Sequence, residues 1–125
     1  MLLLKEIDHL VLRVRDFQTM EDFYCNIIGC SLKRRRPGLV QLQAGASVID
    51  LTAAEETTGH AGGDETHNLD HFCLSVLDFD LDTILKDMEA RGVTIASVTR
   101  RGSIFLRDPE GNRVELIGDK RYEAP

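Results

Sequence analysis

Two short segments, residues 7–14 and 69–76, are rich in Val, Leu and Ile, and every second residue from Leu10 and from Phe72 is apolar, as expected for strands with one buried face. A stretch with apolar residues at three- and four-residue spacing follows each segment, which is typical of an amphipathic helix. The apolar positions are Met20, Phe23, Tyr24, Ile27 and Ile28 in the first stretch and Leu81, Ile84, Leu85 and Met88 in the second. The pattern therefore predicts the order strand–helix twice along the chain.

Local signals place the ends of both helices and the strands that follow them. Asp16 and Asp78 are the expected N-caps, and Gly29 and Gly92 are the expected terminating glycines. Three short strands are predicted after each helix, at 30–36, 39–43 and 47–52, then at 93–100, 103–107 and 112–117. These signals therefore predict a βαβββ module in each half of the chain.

The two halves also repeat each other residue by residue. Residues 7–17 read Ile-Asp-His-Leu-Val-Leu-Arg-Val-Arg-Asp-Phe, and residues 69–79 read Leu-Asp-His-Phe-Cys-Leu-Ser-Val-Leu-Asp-Phe. The correspondence continues, with slips at expected turns, until Asp50-Leu51 aligns with Glu115-Leu116. We predict a single α+β domain over 1–125, made of repeats 7–52 and 69–118 joined by a linker at 53–68.

Charge and cysteine content narrow the class of protein. The formal net charge of −6 argues against nucleic acid or an anionic membrane as the main partner. We interpret the basic run Lys33–Arg36 as a solvated strand, with charges at a pocket rim as the alternative. Three cysteines without a C-x-x-C motif indicate free thiols, and Leu2–Leu4 is too short for a signal peptide or membrane span. These features predict a cytoplasmic protein.

Two histidines and two carboxylates recur at matching strand positions. Side chains alternate along a strand, so His9 and His71 should point away from the apolar, helix-facing side of each sheet. Asp50 and Glu115 should do the same on the last strand of each repeat. Imidazole and carboxylate together suit Zn, Ni, Co, Mn or Fe(II). We predict one divalent metal ion per chain, with Asp50 as a fourth ligand or as a free base.

Other side chains of this polar face are candidates for binding substrate. They are Arg13, Gln41, Phe105 and Arg107. Two cations, an amide and an aromatic ring near a metal ion suit a small, anionic, oxygen-rich molecule. For Arg13 the alternative is an ordinary solvated strand residue.

These residues resemble the vicinal oxygen chelate superfamily, which includes glyoxalase I, bleomycin-resistance proteins and extradiol dioxygenases. The resemblance spans residues 7–118. It rests on Asp8-His9-Leu10-Val11-Leu12, on Phe23-Tyr24 with Gly29, on Leu69-Asp70-His71, and above all on residues 105–116, which read Phe-Leu-Arg-Asp-Pro-Glu-Gly-Asn-Arg-Val-Glu-Leu.

The resemblance implies that the βαβββ modules form a cupped mixed sheet, usually in a homodimer. It also implies a metal ion held at His9, His71 and Glu115. In glyoxalase I a further carboxylate ligand matches Asp50, and an arginine matching Arg13 contacts the carboxylate of glutathione. The cup is closed either within one chain or between two chains of a dimer.

The resulting hypothesis is a metal-dependent lyase or isomerase similar to lactoylglutathione lyase. The metal ion would stabilise an enediolate of a small oxygen-rich substrate, and Glu115 or Asp50 would move the proton between adjacent carbons. One alternative is an extradiol-type Fe(II) dioxygenase with the same ligands. The other is a small-molecule binding protein of the antibiotic-resistance type.

Overall fold

A computed structural model describes residues 1, 3–54, 69 and 71–119. The chain divides into two compact units, Met1–Gly62 and Gly63–Pro125. We call these units the first and the second module. Most of the predicted linker lies outside the described residues. No helix in the described part is long and apolar enough to cross a membrane.

The first module has the predicted βαβββ order. Its elements are β1 (His9–Val14), α1 (Phe17–Asp22), a π-helical segment (Phe23–Ile28), β2 (Ser31–Arg36), β3 (Leu39–Ala44) and β4 (Ser47–Ala53). The strand order in the sheet is β1-β4-β3-β2, with β1 parallel to β4 and the other neighbours antiparallel. The parallel pair requires a crossover, which the helical segment and the β2–β3 hairpin supply.

The second module repeats this arrangement. It consists of β5 (Phe72–Val76), α2 (Leu81–Ala90), β6 (Thr94–Val98), β7 (Ile104–Arg107) and β8 (Arg113–Gly118). The order is β5-β8-β7-β6, and β5 is parallel to β8. The predicted fold of two βαβββ modules with mixed sheets is therefore confirmed.

Of the two predicted N-caps, one is correct and the other is wrong. Asp16 is the N-cap of α1, where its side chain accepts a hydrogen bond from the Thr19 amide. The prediction for Asp78 is wrong, since Asp80 is the N-cap of α2. Asp78 instead has a positive φ of 50° in the turn after β5. The turn therefore occupies two more residues before the helix begins.

Each sheet has a helix-side face and an opposite face, which we call the site face. In the first module Leu12, Val14, Ile49 and Leu51 are buried on the helix side. His9, Val11 and Arg13 alternate with them along β1 and are exposed. Register pairs Val11 with Asp50 and Asp50 with Gln41, which places all three on the site face. The predicted alternation is thus present in the structure.

The second strand of each module contains the same irregularity. The register of β2 against β3 shifts between Leu32 and Arg34, which leaves Lys33 unpaired. The register of β6 against β7 shifts between Ile95 and Ser97, which leaves Ala96 unpaired. We call each shift a bulge. A bulge reverses the alternation of the residues that follow it.

Candidate functional site

His9 and Asp50 lie next to each other on the site face of the first module, and we call them the first half-site. The His9 Nε2 atom is 3.9 Å from Asp50 Oδ2. On the other side of the ring, Nδ1 is 2.9 Å from Asp8 Oδ2. The hydrogen bond to Asp8 raises the pKa of His9, with smaller contributions from nearby negative charge. A histidine that donates through Nδ1 presents a lone pair at Nε2, as metal-ligating histidines do.

Asp50 has an unusual environment for a buried carboxylate. The residue is only 7% exposed. In the described part of the chain, its Oδ1 atom is buried and has no hydrogen-bond partner. An unsatisfied buried acceptor costs about 1–3 kcal/mol, and more when it is charged. A bound cation or substrate proton at Oδ1 would offset that cost.

His71 and Glu115 form the second half-site, at the matching positions of the second module. His71 Nε2 is 3.2 Å from Glu115 Oε1. The Ser103 hydroxyl donates to Glu115 Oε2 at 2.6 Å, and Arg101 Nη2 is 3.5 Å from the same oxygen. Phe105 packs edge-on against the His71 ring, with ring centroids 4.7 Å apart. The Glu115 carboxylate is therefore held on several sides.

These partners decide the charge state of Glu115. Burial by itself raises the pKa of this carboxyl group. Hydrogen bonds from Ser103 and Cys73 and the electrostatic effects of His71 and Arg101 outweigh burial, so the pKa of Glu115 is lowered. Glu115 is a carboxylate at neutral pH, which is the form that binds a cation.

The four predicted substrate-binding residues have different surroundings. Gln41 is half-buried and in register with Asp50, while Phe105 is buried and in register with Glu115. Arg13 is exposed on the site face. Arg107 donates to the Gly111 carbonyl at 2.8 Å, which ties it to the β7–β8 turn. Gln41, Phe105 and Arg13 thus lie on the same faces as the half-sites. The hydrogen bond of Arg107 stabilises the β7–β8 turn.

Sequence reasoning missed the residues that support the half-sites. Asp8, Arg101 and Arg113 were not predicted to take part, and neither Ser103 nor Cys73 was assigned a role. The Arg113 guanidinium carbon lies 4.6 Å from the centroid of the Phe105 ring. The repeated Asp-His pair was a signal for Asp8. Arg101 reaches Glu115 from a turn, and the direction of a side chain in a turn does not follow from sequence periodicity.

The donor set of each module is of the kind that binds divalent metal ions. Each half-site supplies one imidazole nitrogen and one carboxylate, both of which suit a divalent ion of the predicted kinds. The Asp50 Oδ1 atom, which has no partner in the described part of the chain, is a buried acceptor that a bound cation would satisfy. Among the described residues, no group of three or more His, Cys, Asp or Glu side chains could hold an ion.

A comparison with family models places the chain in a known superfamily. The family model described as "Glyoxalase/Bleomycin resistance protein/Dioxygenase superfamily" matches residues 6–116. The chain therefore belongs to this superfamily, and the resemblance to vicinal oxygen chelate proteins is confirmed. Its members typically use divalent metals and bind small molecules.

Individual relatives cover nearly the whole chain. One is a Salmonella typhimurium protein named "Virulence protein STM3117", with 28% identity over 92% of this chain and 85% of the relative. Another is "Glutathione transferase FosA" of Serratia marcescens, with 26% identity over 91% and 81%. Among solved structures, the trypanothione-dependent glyoxalase I of Leishmania major has a TM-score of 0.75 and 25% identity, over 93% of this chain and 88% of that one.

Proposed function

We propose that this protein is a divalent-metal-dependent lyase or isomerase of the glyoxalase type that acts on a small, oxygen-rich substrate. His9, His71, Glu115 and Asp50 are the proposed metal ligands. The observation that carries the proposal is the buried Asp50 Oδ1 atom, which has no partner in the described part of the chain and lies beside a histidine oriented by Asp8. The similarity to a glyoxalase I supports the choice of reaction class.

A divalent ion held there would polarise neighbouring substrate oxygens and stabilise negative charge that develops on them. The two carboxylates have different roles in this proposal. Glu115 is fixed by Ser103 and Arg101 and acts mainly as an anchored ligand. Asp50 has no such supporting partners among the described residues, so we assign to its carboxylate, rather than to that of Glu115, the transfer of a proton from one substrate carbon to the adjacent carbon. Asp50 is therefore the preferred proton carrier.

The first test is metal content. Protein purified without added metal should contain about one divalent ion per chain, and His9→Ala or His71→Ala should abolish this. His60→Ala is the matched control, because His60 belongs to the Gly-rich linker and should leave the metal content unchanged. Metal content that survives both His9→Ala and His71→Ala would rule out the ligand assignment.

Asp50→Asn separates the two roles of Asp50. If Asp50 is a ligand, this variant should bind metal about 10-fold or more weakly, since a charged ligand is lost. If Asp50 is a free base, metal content should hold while turnover falls. The first substrate to assay is the glutathione–methylglyoxal hemithioacetal, followed by 2-oxo and 2-hydroxy acids.

Mixing variants shows whether one ion takes ligands from one chain or from two chains of a homodimer. His9→Ala and His71→Ala chains, unfolded and refolded together, would regain metal only if each ion is shared between chains. Statistical pairing makes half of the dimers mixed, and each mixed dimer has one intact ligand set. Recovery would then reach about a quarter of the parental metal content. No recovery would indicate that each chain holds its own ion.

Two other classes within the superfamily give different results in the same assays. An Fe(II) dioxygenase would use the same ligands but would retain iron and consume O₂ with a catechol. A binding or resistance protein would bind its small molecule without turnover. The paired histidines and carboxylates favour an enzyme over a binding protein, because binding by shape and apolar contact needs no metal ligands.

A further inference from the structure

The basic run Lys33–Arg36 looks like an ordinary solvated strand in the sequence. The bulge in β2 changes which face of the sheet its arginine side chains point to. After the bulge, Arg34 is in register with Gln41 and Arg36 with Leu39. Gln41 is in turn in register with Asp50. Arg34 and Arg36 therefore lie on the site face of the first module, the face that bears the first half-site.

Arg35 provides an independent check of this orientation. It alternates with Arg34 and Arg36 along β2, and its guanidinium forms a two-pronged ion pair with Glu21 of α1, at 2.8 and 3.0 Å. Since α1 covers the helix side of the sheet, Arg35 points to that side. Because side chains alternate along a strand, Arg34 and Arg36 must point to the site face.

The arginines of the two modules differ in how they are used. In the second module Arg101 approaches Glu115, Arg107 donates to a turn carbonyl and Arg113 lies over Phe105. In the first module Arg13, Arg34 and Arg36 are exposed. Within residues 1, 3–54, 69 and 71–119, none of these three forms a side-chain hydrogen bond or ion pair. No described residue therefore engages these three guanidinium groups of the site face, and we take them as candidates for binding a ligand.

We propose that Arg34 and Arg36, together with Arg13, form an anion-binding band, and that the substrate carries at least two negative charges. The inference deepens the proposed function, because it names the substrate class of the same site. Guanidinium groups bind carboxylate and phosphate through paired, charge-assisted hydrogen bonds. Dicarboxylates and phosphorylated compounds share this chemistry.

The layout of the sheet places two of these arginines close together and the third apart from them. Arg34 and Arg36 are two residues apart on an edge strand, about 7 Å along its axis. Arg13 lies on the opposite edge strand, on the same cross-strand row as Arg36, about 14 Å away at the backbone. Asp50 lies on a strand between these edges and repels anions toward both sides.

Protection of an exposed edge is the competing explanation for this feature. Bulges and positive charges on edge strands prevent unwanted strand pairing. The second module argues against that explanation, since β6 is also an edge strand with a bulge at the matching place. It has Ser97 where the first module has Arg34. The bulge belongs to both modules, whereas the arginines belong only to the first.

The test compares Arg34→Gln with Arg35→Gln. The two variants lose the same charge from adjacent residues of one strand, but only Arg34 lies on the site face. Malonate, inorganic phosphate and acetate are titrated at low ionic strength into metal-free and Zn²⁺-loaded protein. The parent should prefer malonate or phosphate to acetate. Arg34→Gln should weaken the preferred anion about 10-fold, and Arg35→Gln by less than about 2-fold.

Each result has a definite consequence. Preference for malonate identifies a dicarboxylate ligand, and preference for phosphate identifies a phosphorylated one. Equal weakening by both variants would show that only total charge matters, and the proposal would then be wrong. Unchanged affinity with new self-association of Arg34→Gln would establish edge protection instead. Selective anion binding by a chain that holds no metal would contradict the proposed function and leave this inference standing.

Discussion

Asp50 and Glu115 occupy matching positions in the two modules, yet their surroundings are opposite. Both are buried, at 7% and 4% exposure, and each lies next to the histidine of its own half-site. Glu115 receives a hydrogen bond from Ser103 and lies beside Arg101. Asp50 retains a buried oxygen with no partner in the described part of the chain. One scaffold therefore produces a satisfied carboxylate in one module and an unsatisfied one in the other.

Three replacements explain the difference. The partners of Glu115 are Ser103, Cys73 and Arg101. By the repeat alignment, the first module has Leu39, Val11 and Pro37 at these places, none of which has a polar side chain. The backbone of the repeat thus fixes where a carboxylate lies, and its neighbours decide whether it is satisfied by the protein or left for a ligand. Residues held in a costly state are common at functional sites.

Replacing each carboxylate with leucine should change stability in opposite directions. In metal-free protein, Asp50→Leu should raise the free energy of unfolding by about 1–3 kcal/mol, because it removes an unsatisfied buried acceptor. Glu115→Leu should lower it by about 2–3 kcal/mol, since Ser103 loses a charged partner. Urea unfolding of chelator-treated protein measures both, with each variant serving as the other's control. A loss of stability in both variants would mean that Asp50 has a structural partner.

Ser103→Ala tests the support of Glu115 alone. We expect a loss of about 1–2 kcal/mol at neutral pH, because a buried hydrogen bond to a carboxylate is removed. Leu39→Ala, at the matching place in the first module, is the control for simple truncation and should leave the pH dependence unchanged.

The pH dependence of this variant follows from the lowered pKa of Glu115. A carboxyl group with a lowered pKa stabilises the fold above its ordinary value of 4.5, and this stabilisation is lost as pH falls through the folded-state pKa. In Ser103→Ala that pKa should rise toward the ordinary value. Stability should therefore fall less steeply below pH 4.5 than in the parent. An equally steep fall would show that other groups dominate the acid side.

The sequence predicted the features that depend on periodicity. Strands of the repeat, the alternation of their faces and the placement of His9, His71, Asp50 and Glu115 all follow from a period of two residues and a duplicated pattern. The half-sites His9–Asp50 and His71–Glu115 were accordingly found on the predicted faces.

Features that depend on an interruption of that period could not be predicted. The bulge at Lys33 has no mark in the run Leu32–Arg36, so the direction of Arg34 and Arg36 was not available from alternation. The π-helical segment Phe23–Ile28 has the same apolar spacing that predicts an α-helix. Arg101 reaches Glu115 from a turn, where side-chain direction depends on tertiary structure.

The helix caps give the last and smallest test of the comparison between modules. The Asp16 side chain accepts hydrogen bonds from both the amide and the hydroxyl of Thr19, at 3.1 and 2.8 Å, and these bonds lower the pKa of Asp16. The Asp80 side chain contacts the Thr83 hydroxyl but caps no backbone amide. Asp16→Ala should therefore lower the melting temperature by a few degrees at pH 7, and Asp80→Ala by less. Because the pKa of Asp16 is lowered, its carboxylate stabilises the fold above the ordinary pKa of 3.8. This stabilisation is lost as pH falls through the folded-state pKa. The difference between Asp16→Ala and the parent should accordingly shrink toward pH 2 in thermal melts. A larger effect of Asp80→Ala at pH 7 would show that a contact with a hydroxyl stabilises these helices more than a capped amide does.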